Sequence, residues 1–161
     1  MMSPLEKYYR YRLQNFLVIT ARNHIKHSMK SRIICLVGGS GFVGRHLVGG
    51  LTRHGHRLRV LTRKRERRRA LLVFPTLELV ETDVHDRASL SEAIAGADAV
   101  INLAGILNEA SGKNATFERM HSQLPGEVAQ VCAEQGVARL LHMSALNATD
   151  NAPSRYLRSK A

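Results

Sequence analysis

Two residues near the end of the chain, Tyr156 and Lys160, are spaced for proton-transfer chemistry. They are four residues apart, so a helix would place both on one face. A nearby ammonium stabilises a phenolate and can lower the pKa of a tyrosine from ~10 towards neutrality. Such a tyrosine can pass a proton to or from a substrate oxygen, and Ser144, at the end of a predicted strand, could hold the same oxygen by a hydrogen bond. A tyrosine and a lysine at this spacing are common, so the surrounding sequence must decide whether they form a site.

A second candidate site is the glycine-rich segment that follows an apolar run at 33–37. The segment has glycines at every third position, 38, 41 and 44. Gly38 would allow a tight turn, Gly41 would let a pyrophosphate approach the backbone, and Gly44 would let a helix pack closely. The N–H groups and the dipole at the start of that helix favour phosphate. The triplet alone is also compatible with a simple tight turn. We interpret it as a dinucleotide site with the candidate cofactor-binding residues Gly38, Ser40, Gly41, Phe42, Val43 and Gly44.

A common site requires a fold that brings the glycine segment at 38–44 close to residues 144–160. Apolar runs predict strands, and amphipathic or charged stretches predict helices. The predicted strands are 33–37, 57–62, 77–81, 99–105 and 137–143, and the predicted helices are 41–53, 66–73, 87–97 and 115–136, the last interrupted near Pro125. Strands that alternate with helices form a doubly wound parallel sheet, a Rossmann-type α/β fold, and right-handed crossovers give the strand order 3-2-1-4-5. The glycine segment and Ser144 then share the edge where such sheets bind ligands.

The end of the second predicted strand bears on which dinucleotide binds. An acidic residue there would bind the ribose 2′-OH of NAD, whereas an arginine would meet the 2′-phosphate of NADP. The sequence has Arg63, with no acid before Glu66. The same basic residues could also be a solvated, charged helix start. The absent carboxylate favours NADP(H) over NAD(H).

The composition is that of one globular domain with an excess of positive charge. The chain has 161 residues, 44% of them hydrophobic, and a net charge of +11. Six of the seven residues at 63–69 are basic, but no aromatic residue lies among them to stack on bases, so we do not expect nucleic acid as a partner. No apolar run approaches the ~18 residues of a membrane-spanning helix. We therefore expect no transmembrane segment and a cytoplasmic location, with the mitochondrial matrix as the less favoured alternative.

Cysteines and histidines predict neither a disulfide framework nor a metal site. Cys35, in a predicted strand, and Cys132, in a predicted helix, have the character of small buried hydrophobic residues. The eight histidines are scattered, and His54 and His56 lie on either side of one glycine at a predicted turn. We expect no bound metal.

Residues 1–28 lack clean periodicity, and we expect them to lie outside the domain formed by 29–161. They carry scattered basic residues and one acid, Glu6, as a mitochondrial transit peptide would. Alternatively Met29 is the true start, because the first predicted strand follows it directly. We favour the second interpretation and expect disorder or a stray helix over 1–28.

Residues 33–161 together resemble the short-chain dehydrogenase/reductase superfamily. The glycine spacing, followed by Ser144, Tyr156 and Lys160, is most similar to its extended and atypical branch, the NAD(P)-binding epimerase/reductase-like proteins akin to the Rossmann-type accessory subunit of respiratory complex I. The resemblance implies a Ser-Tyr-Lys catalytic triad, with Lys160 also holding the nicotinamide ribose. It further implies that Asp83 and Val84 lie beside the adenine, and Leu103, Ala104 and Gly105 beneath the nicotinamide ribose. As bare chemistry, Asp83 is equally a turn residue or helix cap.

Two functional hypotheses follow from this resemblance. The first is an NAD(P)-dependent oxidoreductase or epimerase acting on an unknown small molecule, with Tyr156 as proton donor and acceptor. The second is a non-catalytic structural or sensor subunit that holds NADPH, in association with a larger complex. The sequence stops one residue after Lys160, whereas extended members continue into a substrate lobe. We therefore expect a truncated domain without its substrate lobe.

Overall fold

The computed structural model describes residues 8–13, 16–21, 31–110 and 116–161 of the chain. Its centre is one sheet of seven strands. The strands are β1 (Tyr8–Leu13), β2 (Phe16–Ala21), β3 (Ile33–Val37), β4 (Arg57–Thr62), β5 (Leu77–Glu81), β6 (Ala99–Asn102) and β7 (Arg139–His142). The helices are α1 (Phe42–Arg53), α2 (Arg87–Ile94), α3 (Leu124–Glu134) and α4 (Arg155–Ser159). A 3₁₀ segment, Arg65–Val73, follows β4, and a π-helical segment, Glu118–Gln123, leads directly into α3.

The five strands β5-β4-β3-β6-β7 are parallel and adjacent in that order. This is the predicted order 3-2-1-4-5, with β3 as the first strand of the domain, and the doubly wound fold is confirmed. Successive side chains of a strand point to opposite faces of the sheet, so a run that is apolar throughout requires cover on both. Cys35 and Val37 accordingly pack into the core shared with α2 and α3, while Ile34 and Leu36 pack with α1 on the other face.

Several predicted elements differ from the structure in length or type. The predicted helix at 66–73 is a 3₁₀ segment, and the helix predicted over 115–136 is π-helical before it becomes α-helical at Leu124. Position 115 lies outside the described residues. Pro125 stands in the first turn of α3, where its missing N–H costs least. The last two predicted strands end earlier, at Asn102 and His142, which leaves the following residues in loops at the site.

The N-terminal segment differs from its prediction in the part that the structure describes. β1 and β2 form an antiparallel hairpin, and β2 pairs with β7 through Val18 opposite Leu141 and Ile19 opposite Leu140. Disorder or a stray helix is therefore the wrong expectation for these two strands. The pairing covers the backbone groups of β7, which would otherwise form an open sheet edge. The other residues of 1–28 lie outside the described part.

Both cysteines are buried and free, as the sequence indicates. Within the described ranges, no three His, Cys, Asp or Glu side chains gather closely enough to hold a metal ion. No helix in the same ranges has the length and apolar character needed to cross a membrane.

Candidate dinucleotide-binding site

The glycine loop lies between the end of β3 and the start of α1. Gly38 has φ of +76°, in the left-handed region that favours glycine. A Cβ at this position would also lie 2.7 Å from the Ala104 nitrogen, so no larger residue fits beside the loop that follows β6. The Gly41 N–H donates to the Gly38 carbonyl over 3.1 Å and closes the turn. The tight turn predicted at Gly38 is therefore present, and its backbone conformation and close contacts are the reason that it needs glycine.

The other two glycines of the triplet have different surroundings. A Cβ at Gly44 would lie 2.1 Å from the Gly39 carbonyl oxygen, so glycine lets α1 pack directly on the loop. A Cβ at Gly41 would meet nothing closer than the Gly38 oxygen at 3.4 Å, and Gly41 is exposed. Glycine at 41 is therefore not required by contacts within the chain, which leaves room for a ligand to approach its backbone.

The N-terminus of α1 fits an anionic group. No side chain caps it, and its first turn contains no acidic residue. The backbone N–H groups of a first helical turn have no partners within the helix, and together with the dipole they favour phosphate. Phe42 and Val43 are exposed at this end, and Phe42 lies against the His46 ring with 4.8 Å between centroids. Ser40 is half-buried, and its carbonyl accepts a hydrogen bond from Arg45 Nε over 3.3 Å.

The residues predicted for the adenosine end line one open groove of about 740 Å³. Arg63 stands exposed just after β4, and Asp83 lies after β5, with Thr82 also in the wall. Asp83 Oδ1 accepts the His85 N–H over 3.0 Å, so this carboxylate also stabilises its own turn, as the alternative interpretation holds. Val84 is half-buried and packs against the core on the α2 and α3 face.

The loop after β6 lies between the glycine loop and the C-terminal end of the chain. Asn102 is buried, and its Oδ1 accepts the Ala104 N–H over 3.1 Å, which shapes the turn. Ala104 contacts the Gly38 side, as described above, whereas a Cβ at Gly105 would lie 3.2 Å from Lys160 Nζ. Leu103 is half-buried and packs against the core on the α1 face. The loop thus joins the two predicted centres of chemistry into one surface.

The predicted triad lies beside this loop, with its members unequally placed. Lys160 is buried just past the end of α4, and its Nζ donates to the Met143 carbonyl over 3.1 Å. Burial lowers the pKa of Lys160. Ser144 Oγ donates to the Lys160 carbonyl over 2.6 Å, so its proton is already engaged. Tyr156 is half-buried, with its ring edge-on to those of Phe117 and His121.

Two histidines that sequence analysis did not single out belong to this site. His121 is buried in the π-helical segment, and His142 is half-buried at the end of β7. Burial, with a smaller effect from the Lys160 ammonium, lowers the pKa of each to about 4, so both are uncharged at neutral pH. The sequence could have indicated both, because His121 is a polar residue on the inward side of a predicted helix and His142 stands at the end of a predicted core strand.

Together, the parallel sheet, the glycine loop and the open N-terminus of α1 define a Rossmann-type dinucleotide-binding domain. The chain belongs to the NAD(P)H-binding family, whose pattern matches residues 38–160. The predicted resemblance to NAD(P)-binding epimerase/reductase-like proteins and to a subunit of respiratory complex I is confirmed by the relatives and the solved structure described next.

Curated relatives and a solved structure support this assignment. The chain is 32% identical over 140 residues to "NADH dehydrogenase [ubiquinone] 1 alpha subcomplex subunit 9, mitochondrial" of Mus musculus, covering 84% of this chain and 37% of the relative. The protein of the same name from Arabidopsis thaliana is 33% identical over 141 residues, covering 84% and 35%. A putative NAD-dependent epimerase/dehydratase from Bacillus halodurans shares the fold, with a TM-score of 0.70 at 23% identity over 81% of this chain and 61% of that one.

These comparisons also bear on how much of its relatives the chain spans and on where those relatives are located. The chain spans little more than a third of the length of these curated relatives. The predicted cytoplasmic location is wrong by this comparison, because the relatives are named as mitochondrial proteins. The sequence-based expectation depended on the absence of an apolar run long enough to span a membrane, which does not distinguish the cytoplasm from the mitochondrial matrix.

Proposed function

We propose that this domain holds NADP(H) as part of a mitochondrial assembly of the complex I type, without turning the cofactor over. The observation that carries the proposal is the open glycine loop at the start of α1, with Arg63 exposed after the adjacent strand β4. The first feature suits the pyrophosphate, and the second suits a 2′-phosphate. The curated relatives, named as subunits of NADH dehydrogenase, support the choice of assembly.

The pyrophosphate would lie over Gly41, where the chain leaves its backbone open. The N–H groups at the first turn of α1 would donate to the phosphate oxygens, and no carboxylate in that turn opposes them. The Arg63 guanidinium would pair with the 2′-phosphate from the wall of the adenosine groove. At the other end, Lys160 would donate to the nicotinamide ribose from a fixed position, since the Met143 carbonyl already orients its Nζ.

The position of Ser144 favours binding over catalysis. Its hydroxyl proton is donated to the Lys160 carbonyl over 2.6 Å, so as arranged it cannot donate to a substrate oxygen. The Ser144 contact instead closes the loop after β7 onto the end of α4. In this role, the serine supports the lysine rather than a reacting group.

A second candidate function is an oxidoreductase or epimerase, favoured by the presence of Tyr156 and Lys160 on one short helical segment. A bound nicotinamide supplies hydride chemistry. Tyr156 would exchange a proton with a substrate oxygen, and the Lys160 ammonium would stabilise the phenolate. The substrate, a small molecule, would enter beside the loop after β6.

Calorimetric titration with NADPH and NADH, followed by assays for turnover, separates these functions. We expect NADPH to bind more tightly than NADH. We also expect that bound NADPH is not oxidised when small carbonyl compounds are added. Gly41→Asp should abolish binding, because its carboxylate would face the phosphates. Gly50→Asp is the matched control, since it adds the same charge to α1 where a Cβ meets nothing within 4 Å.

Each outcome has a definite meaning. Equal affinity of the Gly41→Asp variant and the parent chain would exclude the phosphate site. Turnover that is lost in Tyr156→Phe while NADPH affinity is kept would establish the catalytic alternative.

A further inference from the structure

We propose that His121 is a positioning residue of the cofactor site. Its uncharged imidazole ties the loop after β6 to α4 and so holds Lys160 and Tyr156 at the nicotinamide end of the dinucleotide. The inference rests on the proposed function, because it assigns a role within the same site.

The hydrogen bonds of His121 admit only one arrangement of protons. The Ile106 N–H donates to His121 Nε2 over 3.0 Å, so Nε2 must carry the lone pair. The proton therefore lies on Nδ1, which is 2.8 Å from Ser159 Oγ and donates to it. The Ser159 hydroxyl in turn donates to the Tyr156 carbonyl over 2.7 Å. His121 and Ser159 each accept one of these hydrogen bonds and donate another, and the series of bonds connects the loop after β6 with α4.

Ring packing fixes the orientation of the imidazole. The Phe117 ring stacks on it at 5.3 Å with 21° between the planes, and the Tyr156 ring meets it edge-on at 5.6 Å. The π-helical segment supplies this position, because its wider turn changes which side chains point inward. Segments of this kind occur often at functional sites.

The imidazole lies directly beside the lysine that it would help to place. A Cβ at Gly105 would lie 3.2 Å from Lys160 Nζ and 3.3 Å from His121 Nε2. Lys160 Nζ donates to the Met143 carbonyl and the residue is buried, so a carbonyl contact and packing hold its position. A loop that moved away from His121 would open the space around the Lys160 ammonium.

The charged groups around His121 favour its uncharged form. The Lys160 ammonium faces it from the end of α4, and His142 lies near both groups, at the end of β7. Glu109, in the loop after β6, acts in the opposite direction but pairs with Arg155 over 2.8 Å. A protonated His121 would turn an N–H towards the Ile106 N–H and break the contact with the loop.

Two substitutions of His121 test the role through the two ends of the cofactor. His121→Phe keeps a ring but removes both hydrogen bonds, whereas His121→Gln can still present an amide oxygen to the Ile106 N–H. We expect His121→Phe to lower the affinity for NADP⁺ about tenfold, the effect of roughly one well-placed hydrogen bond. The affinity for 2′-phospho-ADP, which keeps the 2′-phosphate but lacks the nicotinamide end, should stay unchanged, and His121→Gln should recover most of the loss.

A pH profile and a control substitution complete the experiment. The ratio of NADP⁺ to 2′-phospho-ADP affinity should fall in the parent chain as the pH approaches 4 and should stay flatter in His121→Gln, because both ligands carry the same 2′-phosphate. His54→Phe is the control, because that exposed imidazole bonds only to the Gly50 carbonyl of its own helix. Affinities are measured by calorimetry on the full chain.

The outcomes separate this inference from the proposed function. If the parent chain binds neither NADP⁺ nor 2′-phospho-ADP, the proposed function fails, and the inference fails with it. If 2′-phospho-ADP binds but His121→Phe leaves the NADP⁺ affinity unchanged, only the inference is overturned. An equal loss of 2′-phospho-ADP and NADP⁺ affinity would make His121 a general structural residue and would also overturn it.

Discussion

At the residue scale, the proposed choice between NADP(H) and NAD(H) depends on one exposed side chain, that of Arg63. It lies just after β4 and lines the same groove as Asp83, whose carboxylate accepts a hydrogen bond from the His85 N–H of its own turn. A guanidinium in that place can pair bidentately with a phosphate, which a ribose hydroxyl cannot match. The proposed preference for NADP(H) would therefore depend on a charged side chain that lies outside the core.

Arg63→Glu should weaken NADPH binding far more than NADH binding, because the new carboxylate would repel the 2′-phosphate. We expect a loss for NADPH of at least tenfold, measured by calorimetry at constant ionic strength. Arg67→Glu is the control, since it makes the same charge change within the exposed basic run. Equal losses for the two cofactors would show that Arg63 does not contact the 2′-phosphate.

His121 and His142 predict how the stability of the chain depends on pH. His121 and His142 have pKa values of about 4 in the folded chain against an ordinary value of 6.5, so the unfolded chain binds more protons between these limits. Stability is therefore complete above the ordinary value and falls as the pH decreases towards 4. Urea midpoints measured from neutral pH downwards should show this loss.

Substitution of His142 identifies its share of the pH effect. His142→Leu should reduce the slope of stability against pH, because it removes a group whose pKa burial lowers in the folded chain. The same slope in His142→Leu and the parent chain would show that this histidine does not titrate with folding.

At the scale of elements, the contact between α1 and the glycine loop is set by a missing side chain. A Cβ at Gly44 would lie 2.1 Å from a backbone oxygen, whereas Gly50, in the same helix, has nothing within 4 Å. The spacing of the glycine triplet predicted close packing at Gly44, and the structure adds that Gly50 has open space around it.

Alanine at these two positions should have opposite effects. Gly44→Ala should lower the free energy of unfolding by about 1–3 kcal/mol, because the clash is with backbone that cannot move aside cheaply. Gly50→Ala should raise it by about 0.5–1 kcal/mol through helix propensity. Urea denaturation measures both, and a stable Gly44→Ala variant would contradict the close packing.

At the scale of the whole molecule, the fold brings residues far apart in sequence to one edge of the sheet. Ala104 contacts the glycine loop, and Gly105, the next residue, lies beside Lys160. A dinucleotide bound along this edge would connect the start of the domain with its end. The contacts of the cofactor are therefore a property of the topology.

Cofactor binding should protect both ends of the domain together. NADPH at a concentration about 100 times its Kd should stabilise the chain by about 2.7 kcal/mol. Hydrogen exchange should slow both at 38–44 and at 155–160, although these segments are far apart in the chain. Protection confined to the glycine loop would show that the nicotinamide end is not held.

The sequence by itself determined the parallel sheet and its order. The apolar run of β3 and the alternation of strands with helices are local patterns, and handedness leaves few arrangements of such units. The glycine turn was predictable for the same reason, since its backbone requirement lies within a few residues. Burial of both cysteines also followed from their positions in core elements.

Only the tertiary structure decided which side chains meet. His121 forms its bonds with Ile106 and Ser159, which come from two other segments. The pairing of β2 with β7 likewise joins distant parts of the chain, and no local periodicity encodes it. Ser144 was predicted to face a substrate, but its proton is donated to the Lys160 carbonyl. Hydrogen bonds of this kind depend on distances between elements, which residue spacing along one element does not specify.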